Sequence, residues 1–254
     1  MNLRAKPLPV VRSTPPKGRV LAIAPHPDDE IIGPGGTLIL HARQGDPIRV
    51  VFVCSGVHGD PDGLFPKDGY EARRKAESEA VARAHLGNAE LRFYGYPDGL
   101  DDDGLAKTFP ALPADPDERR RALVYGLSEN LAKEIADFDA KTVYYPWDGE
   151  FHPDHWAVGA AVENLRMGRP EIARGRSFLG YEVWSTLIPD TLVDITSVFD
   201  EKKEAVRKFR TQTAYFDYAS IVGGLNAHRG LLMQRRTSGQ AEAFIGRYSE
   251  GESS

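Results

Sequence analysis

The chain has 254 residues, 41% of them hydrophobic and 27% charged, a balance that fits one soluble α/β domain and argues against a disordered chain. A formal net charge of −5 argues against the broad basic face of a nucleic-acid footprint, though not against a local basic pocket. No run approaches the ~20 apolar residues of a membrane helix, and the start lacks the apolar core of roughly 7–15 residues of a signal peptide, so a cytoplasmic protein that meets neither membrane nor nucleic acid is expected.

Residues 1–18 are Pro-rich and read as an arm over the body, residues 19–248 as a single domain, and residues 249–254 as a loose tail. RVLAIA (19–24) is a short apolar run, the pattern of a buried strand. It ends at PHPDDE, after which Gly33, Gly35 and Gly36 permit a tight turn into a helix over 37–44. IRVVFVCS (48–55) predicts a second strand, and its single cysteine, Cys54, reads as a small buried hydrophobe with no internal disulfide partner. A loop rich in Gly, Asp and Pro follows, then a long helix over 70–86 with packed alanines and Gly87 as its cap. LRFYGY (91–96) predicts a third strand, and 95–118 a long irregular segment of the kind that carries function. An amphipathic helix over 118–138, a strand TVYYPW (142–147) and a helix over 155–167 come next. SFLGYEVWS and TLVDIT are further strand candidates, with helices over 199–209 and 219–236. Strands alternating with helices predict a mainly parallel sheet covered on both faces.

Two motifs carry chemistry. His26-Pro27-Asp28-Asp29-Glu30 places one imidazole and three acids within five residues, directly after a buried strand. Loops at the carboxyl ends of parallel strands form the ligand crevice, and a divalent cation would offset the repulsion among these carboxylates. His152-Pro153-Asp154-His155 follows another strand and opens onto the same crevice edge. Zinc takes such nitrogen and oxygen ligands, with three protein donors and an open position for water in a catalytic site. Adjacent Asp28 and Asp29 point in different directions, so one ligates while the other stays free. His152 and His155, three residues apart, both face the crevice if a helix begins there. The bland reading of either motif alone is a turn or helix cap. His41, His58, His85 and His228 read as structural or solvent-facing, and GPGG as backbone permissiveness beside the metal, since it lacks the phosphate-loop pattern.

AIAPHPDDEIIGPGGTL (22–38) and HPDH (152–155) together resemble the LmbE-like, or PIG-L, family of zinc-dependent deacetylases. YPDG (96–99), YEVWS (181–185) and DIT (194–196) are softer likenesses, and the resemblance spans roughly residues 19–215. It implies a Rossmann-like three-layer α/β fold and hydrolysis of the linear amide of an N-acetylglucosamine-type conjugate, a small amino-sugar-like substrate. It further implies one zinc ion held by His26, Asp29 and His155, with Asp28 as general base. His152 would be protonated, stabilising the oxyanion or protonating the leaving amine, and Asp154 would orient His152. Arg74, or Arg73 in another register, and Asp98 are implied as substrate contacts. Some members place a carbonyl-polarising tyrosine two residues before the first HPDH histidine; Glu150 stands there in this chain. Iron or another divalent ion suits the same ligands. An amidase acting on another N-acyl or thiol conjugate, a non-catalytic sugar-binding module and a homo-oligomer all stay open.

Overall fold

The computed structural model describes residues 7–99, 113, 115–234, 239–246, 248 and 249. Most of the long segment expected over 95–118, and nearly all of the expected tail, lie outside them.

Eight strands form one sheet in the order β1-β7-β8-β6-β5-β2-β3-β4. They are β1 Val10–Arg12, β2 Val20–Ala24, β3 Ile48–Cys54, β4 Glu90–Tyr96, β5 Thr142–Pro146, β6 Ser177–Tyr181, β7 Thr191–Asp194 and β8 Ala241–Ile245. All pairings are parallel except those of β8, which runs antiparallel to both β6 and β7. The mainly parallel sheet is as expected. β8 is an unexpected strand, and β1 draws residues 10–12 of the arm into the sheet edge.

β2 explains why both faces must be covered. All five of its residues are buried, with Val20, Ala22 and Ala24 in one apolar cluster and Leu21 and Ile23 in another. Successive side chains of a strand point to opposite faces, so a continuous apolar run needs a layer on each side. The helices are α1 Asp29–Ile32, α2 Gly35–Arg43, α3 Tyr70–His85, α4 Pro116–Phe138, α5 Pro153–Gly168, α6 Pro170–Ala173, α7 Phe199–Val206, α8 Arg210–Thr213 and α9 Tyr218–Leu231. α2 and α7 supply the first layer, and α4 and α5 the second. No helix among the described residues is long and apolar enough to cross a membrane.

The glycines of GPGG serve packing as well as backbone freedom: none has a positive φ, but Gly33 ends α1 at φ −75° and ψ −95°. A Cβ on Gly33 would lie 2.4 Å from the Tyr181 ring, and one on Gly36 would lie 2.8 Å from Ile195. The start of α2 is held by a buried ion pair. Glu242 accepts from the backbone N–H groups of Gly36 (2.6 Å) and Thr37 (2.8 Å), while Lys202 Nζ donates to Glu242 (2.6 Å) and to the carbonyls of Ile32 and Gly33.

β2 lies between β3 and β5. The chain passes from β2 to one neighbour and later returns to the other, so the crevice beyond β2 and β5 is a topological switch point, where parallel sheets bind ligands. The two motif loops leave the sheet there.

Candidate active site

His26 stands beyond the end of β2, and Asp29 opens α1. His155 lies in the first turn of α5, which Pro153 starts with its fixed φ and His152 caps. These elements bring three donor atoms together. Asp29 Oδ2 lies 3.3 Å from His26 Nδ1 and 3.2 Å from His155 Nε2. All three residues are among the groups able to hold a metal ion.

The electrostatics of this cluster call for a cation. Both ring nitrogens of His155 are buried and make no hydrogen bond, because Asp29 is near but out of line. Burial pulls the His26 imidazole down, yet hydrogen bonds to Asp154 and Asp29 outweigh it and push it up to about 10. Burial likewise opposes ionisation of Asp29, but the facing rings of His155 and His26 hold its carboxyl well below the usual range. A proton on His26 thus balances charge, while the ring nitrogens of His155 are of the kind a metal satisfies. Two imidazoles and one carboxylate suit zinc, and equally iron.

Asp154 acts on His152, whose charged form its carboxylate favours, and also on His26. Its carboxylate bonds His26 Nε2 at 2.9 Å and accepts from the Gly99 N–H. A carboxylate bonded to one imidazole nitrogen orients the ring, and here it leaves Nδ1 of His26 on the side of Asp29. The Asp154 backbone N–H, in turn, bonds His152 Nδ1 at 3.3 Å. A neutral ring that accepts at Nδ1 carries its proton on Nε2. Burial and the rings of His155 and His26 pull His152 below its ordinary value, against the carboxylates of Asp154 and Asp29.

Asp28 is held beside the cluster in a costly conformation, φ 133° and ψ −30°. Its N–H donates to Glu30 Oε2 (2.8 Å), and its carbonyl accepts from Ile31 and Ile32 (both 2.9 Å), which fixes the turn into α1. Burial pushes its carboxyl up to about 7, against the pull of Arg74. Arg74 is 2% exposed and lies 3.3 Å from Asp28 Oδ2 while donating to the carbonyls of Gly56 and Pro27. Arg73 turns instead onto the Phe65 ring, which settles the register of α3. Asp98 also works on the backbone, accepting from the N–H groups of Gly56 and His58 (both 2.7 Å). Glu150 accepts from the N–H groups of Val183, Trp184 and Ser185, so it pins a loop and is no substitute for a tyrosine hydroxyl.

Cys54 is buried as expected, and burial pushes its thiol far up, so it stays protonated beside Asp98 and Asp154. His41 is buried between Asp46 and Tyr144, and His85 pairs with Glu201. His58, in contrast, lines the pocket.

His26, Asp28, Asp29, Arg74, His152 and His155 line a cavity of about 330 Å³. Its far wall comes from Val183, Trp184, Gln212 and Tyr218, which the motifs did not reveal. Burial pushes the Tyr218 phenol up, with Asp28 and Asp29 adding to the shift, so it stays a neutral donor. Only an aromatic-rich run, TAYFDYAS, marks it in the sequence.

Residues 21–165 match the family described as PIG-L, GlcNAc-PI de-N-acetylase. The chain is 30% identical over 177 residues to a 1D-myo-inositol 2-acetamido-2-deoxy-α-D-glucopyranoside deacetylase of Kineococcus radiotolerans, covering 62% of this chain but only 47% of that enzyme. It is 31% identical to a probable N-acetyl-α-D-glucosaminyl L-malate deacetylase 2 of Bacillus cereus, over 76% of this chain and 83% of that one. It is 28% identical to a 4-oxalmesaconate hydratase of Pseudomonas putida, over 85% of this chain and 83% of that one. The fold is shared with the N,N'-diacetylchitobiose deacetylase of Pyrococcus horikoshii, at a TM-score of 0.67 and 24% identity, over 91% of this chain and 84% of that one.

Proposed function

Because this chain belongs to the PIG-L family of GlcNAc-PI de-N-acetylases, we propose that it is a metal-dependent amide hydrolase releasing acetate from an N-acetylglucosamine-type conjugate. The observation that carries the reading is the convergence of His26, Asp29 and the unpaired His155 beside an unligated Asp28. A binding module would gain nothing from a carboxylate held at such backbone cost.

His26, Asp29 and His155 would hold a divalent ion, which we take to be zinc, and it would supply Lewis acidity toward the carbonyl and a water ionised near neutral pH. Asp28, poised near neutrality, takes the proton of the attacking water. Arg74 holds that carboxylate in place, which favours a positioning role over a grip on the sugar. His152 donates from Nε2 to the oxyanion, and the proton that Asp28 has taken up passes to the departing nitrogen. Tyr218 offers a hydroxyl in place of the one absent at Glu150. Acetate and an amine leave, and water attacks directly without an acyl-enzyme. Asp98 shapes the pocket by tying down residues 55–58.

The hydratase relative raises a second reading, but a carboxylate-bearing substrate needs free cations. Arg74 is the one guanidinium on the described pocket wall, and it is already bonded to Asp28.

The test is acetate release from N-acetylglucosamine conjugates, with N-acyl amino acids and thiol conjugates as alternatives, alongside bound-metal analysis. Asp28→Asn should keep the metal and lose about 10²–10⁴-fold in kcat. Metal binding without cleavage of any N-acyl compound would sink the hydrolase reading.

A further inference from the structure

A second cavity of about 180 Å³ adjoins the one that holds the candidate ligands. Ile32, Val183, Trp184 and Tyr218 wall both. Phe216, Ile221 and Leu225 close the second one, so its lining is aliphatic and aromatic. Its charged wall residue, Glu182, is already engaged: it accepts from Arg229 Nε (2.7 Å) and from the Leu187 N–H (3.0 Å). A polyol or a carboxylate entering this space would lose its hydration without finding partners.

Three rings form the corner between the cavities. Tyr218 meets Trp184 edge to face at 6.4 Å and Phe216 at 5.8 Å. At the rim, Trp184 is 47% exposed, while Phe216 and Ile221 are each 56% exposed. An apolar patch beside a catalytic pocket marks a binding surface. Its size fits one small group, since a cavity of about 150 Å³ holds benzene. That is too little for a peptide helix and suited to one ring or a short alkyl chain.

We infer that this cavity receives an apolar substituent, alkyl or aryl, of the amino-sugar substrate, with Trp184, Ile221 and Leu225 setting the preference. The inference rests on the deacetylase reading, but its test does not depend on turnover. The substituent has two sources, the glycosidic end of the sugar or its acyl end.

The experiment is calorimetric binding of three ligands that contain no amide to the purified, metal-loaded protein. They are methyl β-D-glucosaminide, hexyl β-D-glucosaminide and the N-hexyl derivative of the methyl glycoside. One of the hexyl ligands should bind about tenfold or more tighter than the methyl reference, the gain from burying two or more methylenes. A gain for the hexyl glycoside assigns the cavity to the glycosidic end, and a gain for the N-hexyl compound assigns it to the acyl end. Leu225→Ser and the exposed Ile221→Ser should each cut that gain by about threefold or more at an unchanged melting temperature. If Leu225→Ser unfolds, Ile221→Ser decides.

Equal binding of all three ligands, or a gain that both variants preserve, overturns the inference. Acetate release from N-acetylated sugars with equal binding would leave the deacetylase standing and remove only the apolar subsite. Tight hexyl binding without acetate release from the matching N-acetyl compound would do the reverse.

Discussion

At the scale of single residues, the pocket separates groups that hold from groups that act. Tyr218 belongs to the second kind in the proposed reaction. Tyr218→Phe should lower kcat by about 10–10²-fold with metal content unchanged, read by steady-state kinetics beside metal analysis. A structural histidine gives the protein a pH limit. Burial pulls His41 below its ordinary value of 6.5, against Asp46, and its Nε2 lies 3.0 Å from the Tyr144 hydroxyl. The unfolded chain therefore binds the proton more readily than the folded one. The sign follows: this stability is present above about pH 6.5 and falls as acid takes the pH through and below that value. Urea unfolding between pH 8 and pH 5 should show the decline, and His41→Asn should flatten it.

The candidate metal ligands were legible because they sit in two short motifs, each tied to one strand end. Their partners were not, because those are set by contacts across the fold. Asp154 is adjacent in sequence to His155 and near His152, yet its carboxylate bonds His26, 128 residues away. Likewise Glu150 could be read as a departure from a pattern, but its grip on residues 183–185 depends on where β6 lies.

Among the elements, the alternation of strands and helices was readable from β2 to α5 because buried parallel strands are continuous apolar runs. β8 escaped notice for the opposite reason. Its run, AEAFI, contains Glu242, which a sequence reading assigns to solvent and the fold buries at 3% exposure. That residue joins β8, α2 and α7 through Lys202, which is fully buried. Lys202→Met would leave Glu242 charged and short of its partner. It should cost about 3–5 kcal/mol in urea unfolding, the range for breaking a buried pair on one side. α1 ends at the carbonyls that Lys202 holds, so the same variant should also weaken metal affinity, read by competition with a chelating dye.

For the molecule as a whole, the metal and the fold should be linked. The candidate ligands come from the loop after β2, from α1 and from α5, which meet only in the folded chain. A ligand bound a hundredfold above its Kd adds about 2.7 kcal/mol to stability. Zinc should therefore raise the melting temperature of the wild-type protein, chelation should reverse it, and His155→Ala should respond to neither.

The pocket is assembled from two unequal stretches of chain. Its ligands and acid–base groups fall before residue 165, inside the region that matches the family, whereas Val183, Trp184, Gln212 and Tyr218 come after it. The wall lies on loops and helix starts rather than on the strands that fix the ligands. Tyr218 apart, reagent and template are thus separable parts. Recoding the second half around a retained Tyr218 should redirect the proposed enzyme to a new conjugate and leave its chemistry intact, much as a lathe takes a new chuck without a new motor.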